Sequence, residues 1–184
     1  MLLPGPIVSS GAAHILDIAR HVAFFAVLVA AAYTDIAKSK IYNRLTLPAI
    51  FSGLALNFLM YGLSGQLVNC LLGALIGGGI FWFFYIFDAV GGGDVKLMAA
   101  VGALMGLDFT LAALLVIAIV GALMALVALL VRRRFGEGLK GSLKMLFLFK
   151  KPRPGGAEQI TIPYGAAIAF GSIITWALVI GKIF

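Results

Sequence analysis

An all-α bundle of about six membrane-crossing helices is the architecture expected of this chain. Three observations lead there. Apolar residues make up 62% of the 184 positions and charged residues only 11%, against roughly 45–50% and about 25% in an ordinary soluble domain. The apolar residues gather into runs near 14–34, 45–63, 67–87, 95–107, 109–131 and 161–181, most of them close to the about 20 residues that cross a hydrocarbon core. The basic residues behind the net charge of +7 fall in the gaps between runs, which argues against a nucleic-acid-binding stripe. We expect one integral-membrane domain over 1–184, in contact with lipid and with no nucleic-acid partner.

Residues 1–13, with Pro4 and Pro6, form a short tail. The first run, with Arg20 ahead of its apolar stretch and Ala30-Ala31-Ala32 near its end, has the outline of a secretory signal. Its leading region is long and poorly charged, and more spans follow, so it is read as a retained first span. The fourth run is short; at 1.5 Å per residue it covers only about 20 Å. It is a thin tilted span, a half-helix, or a helix whose start is protected inside the bundle. Gly73 and Gly77, and likewise Gly102 and Gly106, are four apart, the spacing that lets helices pack closely in lipid. The single cysteine, Cys70, lies in an apolar run and reads as a small buried hydrophobe. No disulfide framework or zinc-binding set is expected, and no metal or cofactor.

Orientation follows from the loops. Lys38, Lys40 and Arg44 lie between runs one and two, Lys96 opens run four, and Arg132, Arg133, Arg134, Lys140, Lys144, Lys150, Lys151 and Arg153 lie between runs five and six. Excess Lys and Arg marks cytoplasmic loops, so these three loops face the cytoplasm and both termini lie outside. Within the loop at 135–156, Glu137 to Lys151 mixes lysines with large apolar residues and suits a helix lying on the membrane surface. Pro152, Pro154, Gly155 and Gly156 then break the chain before the last run.

Only seven acids are present, Asp17, Asp35, Asp88, Asp94, Asp108, Glu137 and Glu158. An acid in or beside a membrane segment is costly and marks a candidate site. Asp17, Asp88 and Asp108 are read as acids at helix ends in the headgroup layer, and His14 and His21 as helix-end residues. Asp35 opens the polar segment that runs to Thr46, and Asp94 follows Gly91-Gly92-Gly93. Both fall at the cytoplasmic end, where a shared site can form. Two carboxyl groups held close do not both ionise readily, so one keeps its proton and the pair supplies an acid and a base from identical side chains. The ionised member takes a proton from water as it attacks a peptide carbonyl, and the other protonates the carbonyl oxygen. The glycine run is expected to be a loop of unusual backbone angles that admits an extended peptide. Lys38, Lys40, Arg44 and Lys96 could orient a substrate or keep the aspartates charged, although positive-inside anchoring already explains them.

Three segments occur in order: Asp35 with Ile41, Asn43, Leu45 and Thr46; Gly91, Gly93, Asp94, Lys96 and Leu97; and Ile162-Pro163-Tyr164-Gly165. Together they resemble the type IV prepilin peptidases, in particular the short form associated with tight-adherence (Flp) pili, over nearly the whole chain. Tyr42 stands where many members have proline, which places the local loop shape in question. The resemblance implies catalytic roles for Asp35 and Asp94, an active-site loop of Gly91, Gly92, Gly93 and Lys96, and supporting roles for Lys38, Lys40, Ile41, Asn43, Thr46, Pro163, Tyr164 and Gly165. It implies an inner-membrane aspartic peptidase that cuts a prepilin or pseudopilin precursor at the cytoplasmic face. Longer members carry a cysteine-paired N-terminal domain and methylate the new pilin terminus; peptidase activity without N-methylation is expected here. Three other readings are a small ion-coupled transporter, a preflagellin peptidase and a non-catalytic assembly scaffold.

Overall fold

The computed structural model describes residues 6–63, 65–131 and 164–180. Six helices are described: α1 Ser10–Lys38, α2 Asn43–Tyr61, α3 Gly65–Ile86, α4 Gly92–Met105, α5 Leu107–Val131 and α6 Tyr164–Ile180. Four of them, α1, α2, α3 and α5, are long and apolar enough to cross a membrane. α4 has 14 residues and α6 has 17. The proposed surface helix and Pro163 lie outside the described residues.

Five helices form a closed ring in the order α1, α2, α3, α5, α6 and back to α1, and α4 stands inside it touching all five. This placement resolves the short fourth run. Its polar ends abut protein instead of lipid, so a helix of about 21 Å can be accommodated at membrane depth. Leu97, Met98, Ala100, Val101, Ala103 and Leu104 are all fully buried, as expected of a helix that is apolar all round. The ring helices turn Ile15, Val22, Val29, Phe51, Leu75, Leu115 and Ile119 outward, an apolar exterior suited to lipid.

Small residues set how closely α4 is gripped. A Cβ on Gly102 would overlap the backbone carbonyl of Gly73, and one on Gly53 would lie 2.9 Å from Ala103 C and Leu104 N. Of the two expected packing pairs, Gly73, Gly77 and Gly102 behave so. Gly106 does too, its carbonyl carbon lying 2.7 Å from where a Gly73 Cβ would be, and with φ 85° it also ends α4 in a backbone conformation that side chains resist; α5 begins at the next residue. Asn69 of α3 locks that turn, since its Oδ1 accepts the Leu107 N–H at 3.2 Å. Asn57 of α2 donates to Gly53 O at 2.9 Å and to Ala103 O and Leu104 O at 3.3 Å, joining α2 to the last turn of α4.

The first helix runs past its apolar stretch at both ends. α1 begins four residues before run one and continues through Asp35 to Lys38, because polar residues at an interface need not leave the helix. It stops at Ser39, which adopts a left-handed conformation (φ 47°) and donates its N–H to Asp35 O at 2.7 Å. The connection to α2 is therefore only four residues long. Within it Tyr42 is extended, at φ −86° and ψ 138°, close to the geometry a proline imposes, so the tyrosine does not divert the chain.

Candidate active site

One end of the bundle gathers the C-termini of α1 and α3 and the N-termini of α2, α4 and α6. Asp35 comes from the last turn of α1 and Asp94 from the first turn of α4, and both are buried, at 8% and 7% exposure. They stand within electrostatic reach of each other. The fold thus brings the two acids together, and each carboxylate is held in a way that residue types alone do not disclose.

Asp94 is the third residue of α4. Its Oδ2 accepts the N–H of Gly91, the residue preceding the helix, at 2.8 Å. This is the backward half of a capping box, and the position also places negative charge at the positive end of the helix dipole. Asp35 is held in the same way by a different helix: its Oδ2 accepts the Ala166 N–H at 3.3 Å. Ala166 lies in the first turn of α6, where backbone N–H groups have no partner inside the helix. Each carboxylate thus engages a free N–H at a helix start, through one of its two oxygens.

The glycine run differs from expectation. Only Gly91 is outside α4; Gly92 and Gly93 form its first turn, and Lys96 is likewise helical. Gly91 has ordinary extended angles, φ −79° and ψ 153°, and the positive-φ glycines among the described residues are Gly62 and Gly106. The run is therefore a helix start and not an open loop of unusual geometry. Glycine is needed for close approach: a Cβ on Gly93 would lie 2.7 Å from Ile41 Cβ, and one on Gly91 would lie 3.2 Å from Asp94 Oδ2. Gly165 serves the other carboxylate in the same way, since a Cβ there would lie 2.9 Å from Asp35 Oδ2 and 2.6 Å from Ile41 Cδ1.

The remaining motif residues divide into those near the pair and those that brace it. Ile41 is buried between Gly93 and Gly165. Tyr164 is within electrostatic reach of Asp94. Lys96 Nζ donates to Asn43 Oδ1 at 2.7 Å, tying the start of α4 to the start of α2. Lys38 sits over the Tyr42 ring at 5.9 Å, at the outer limit of a cation–π contact, and Lys40 is exposed. Thr46 is fully buried, and its Oγ1 has no hydrogen-bond partner among the described residues. Ala166 is absent from the sequence-based set: its contribution is a main-chain N–H, for which residue type carries no signal, though the neighbouring Gly165 is the one available hint.

Glu137 and Glu158 lie outside the described residues. Asp17 pairs with Arg20 at the opposite end of the bundle, Asp108 stands in the first turn of α5 beside Asn69, and Asp88 is exposed in the turn after α3 with φ 56°. Among the described residues no three His, Cys, Asp or Glu side chains stand together as a metal-ligating group.

The model of the type IV leader peptidase family matches residues 22–126, a span that includes both Asp35 and Asp94. A prepilin leader peptidase/N-methyltransferase of Aeromonas hydrophila is 33% identical over 111 residues, which is 58% of this chain and 38% of that protein. One of the same description from Burkholderia pseudomallei is 34% identical over 110 residues, covering 56% and 35%. The matched region thus spans little more than a third of the curated relatives. No solved structure matches. With over half its length matched by the family model, the chain belongs to the type IV leader peptidase family.

Proposed function

We propose that the chain is a membrane aspartic endopeptidase that removes the leader from a type IV prepilin of the Flp type at the cytoplasmic face of the inner membrane. The observation that carries this reading is the pair of buried carboxylates, Asp35 and Asp94, within reach of each other and each held by the start of a different helix. A type IV prepilin as substrate is supported by the family and by the names of the relatives. The cytoplasmic placement is supported by Lys38, Lys40, Arg44 and Lys96, which lie at the same end of the bundle as the pair.

In the proposed mechanism one carboxyl is ionised and the other protonated. The ionised group removes a proton from water as the oxygen attacks the scissile carbonyl, and the protonated group gives its proton to the carbonyl oxygen. Collapse of the tetrahedral intermediate breaks the C–N bond, and the leaving nitrogen takes up a proton from the pair. Hydrogen bonds from Gly91 and Ala166 fix one oxygen of each carboxylate, which orients the other. The two carboxyl groups account for hydrolysis, and the proposal is confined to cleavage, without N-methylation.

The test is co-expression with a Flp-type pilin precursor, comparing precursor size for the wild type, Asp35→Asn and Asp94→Asn at matched membrane levels. The wild type should trim the precursor, and each variant should leave it intact. Trimming at the normal rate by either variant would remove that residue from the mechanism. Trimming of a preflagellin in place of the pilin precursor would reassign the substrate and leave the chemistry standing.

A further inference from the structure

We propose that Ile41 is a spacer whose side chain sets the separation between the Asp35 and Asp94 carboxyl groups, a positioning residue for the reaction. Its functional consequence rests on the peptidase reading above; its geometry does not.

Ile41 is the one buried residue in the four-residue turn between α1 and α2; Ser39, Lys40 and Tyr42 are exposed. Its two ends press on two different backbones. At the near end, its Cβ and carbonyl oxygen lie 2.7 and 3.1 Å from where a Gly93 Cβ would be, and Gly93 immediately precedes Asp94. At the far end, Ile41 Cδ1 lies 2.6 Å from where a Gly165 Cβ would be, and Gly165 immediately precedes Ala166, whose N–H holds Asp35. The side chain is therefore wedged between the two helix starts that grip the two carboxylates. Neither glycine has a side chain that could rotate away, so the width of this gap follows the length and branching of residue 41. An error of about 1 Å between cooperating groups can cost on the order of a hundredfold in rate.

Ile41 also belongs to the apolar core. If it served only to fill that core, its truncation would lower stability and activity together. A spacer separates the two effects, and its far end can be changed alone. Ile41→Val removes only the δ-carbon facing Gly165, while Ile41→Leu moves the branch from Cβ to Cγ and keeps the reach.

The experiment uses the full chain in membranes with its precursor. Ile41→Val and Ile41→Leu should each lower kcat about tenfold, with KM and thermal unfolding little changed. Gly165→Ala should be severely impaired, because the new methyl meets both Ile41 Cδ1 and Asp35 Oδ2. A kcat loss that merely tracks the loss of stability overturns the proposal. A substrate-free readout separates it from the peptidase reading. Asp35→Cys/Asp94→Cys is bridged with thiol reagents of graded length, Cys70 being buried and single-cysteine variants giving the background. The best-bridging length should shift when Ile41→Val is added. An unchanged optimum overturns the spacer, whereas a shifted optimum in a chain that cleaves no precursor upholds it and sinks the peptidase reading alone.

Discussion

Replacing Gly102 with alanine should be among the most damaging single-methyl changes available in this molecule. The new Cβ would overlap the carbonyl carbon and oxygen of Gly73 and lie 2.5 Å from the backbone nitrogen of Ala74. Normal carbon contacts begin near 3.5 Å, so α3 and α4 must move apart by roughly 1 Å. No flexible side chain is present to yield, since every nearby atom belongs to main chain. Overpacking of this kind costs about 1–3 kcal/mol, and the upper end applies because rigid backbone absorbs it. Gly79 of α3 and Gly121 of α5 supply the control: a Cβ there meets nothing within 4 Å. Alanine at either should be neutral or raise stability by up to about 1 kcal/mol through helix propensity. Reversible unfolding in mixed micelles, read by circular dichroism against denaturing detergent, measures all three variants on one scale. If Gly102→Ala proved as stable as Gly79→Ala, the close approach of α3 to α4 would be refuted, and with it the argument that α4 is gripped inside the ring.

Three further outcomes are expected. Asn57→Leu should lower stability by about 0.6–1.7 kcal/mol in the same unfolding assay, the range for interhelical hydrogen bonds in membrane proteins, because the amide links α2 to the carbonyls of Ala103 and Leu104. Asp17→Ala should destabilise more than Arg20→Met, since the first leaves a largely buried guanidinium without its partner while the second removes that charge; thermal unfolding in detergent ranks the two. Lys96→Met should cost at most about 1 kcal/mol, the range for a single hydrogen bond with exposed partners. It should also slow precursor cleavage less than either aspartate variant in a time course of trimming.

Much of the arrangement is legible in the order of residues along the chain. Hydropathy alone separates six segments, and the alternation of their directions places Asp35 and Asp94 at one end. The central position of α4 is not readable in that way, because hydropathy treats each segment singly and cannot tell a helix facing lipid from one facing five other helices. Its shortness is the clue, and three explanations fit it equally. The glycines at 91–93 point to the right place for a different reason, since a residue type does not reveal whether glycine serves backbone angle or close approach. Gly106, a glycine at packing spacing, serves close approach and backbone angle together. The end of α1 lies four residues beyond the hydropathy boundary because the helix continues past the last apolar position until Ser39 turns it. Ala166 is invisible altogether, being recruited through its peptide group.

The hydrogen bond between Asp35 and Ala166 joins residues 131 positions apart in the sequence, linking α1, made early on the ribosome, with α6, made after the other five. During synthesis α1 to α5 can pack, and Asp94 can already be capped by Gly91, while Asp35 still lacks its anchor and the ring remains open between α1 and α5. Only the arrival of α6 supplies the missing amide and closes the circle. The order of the chain thereby acts as a clock: a partly made copy carries both aspartates but has fixed only one of them, and the second is fixed with α6.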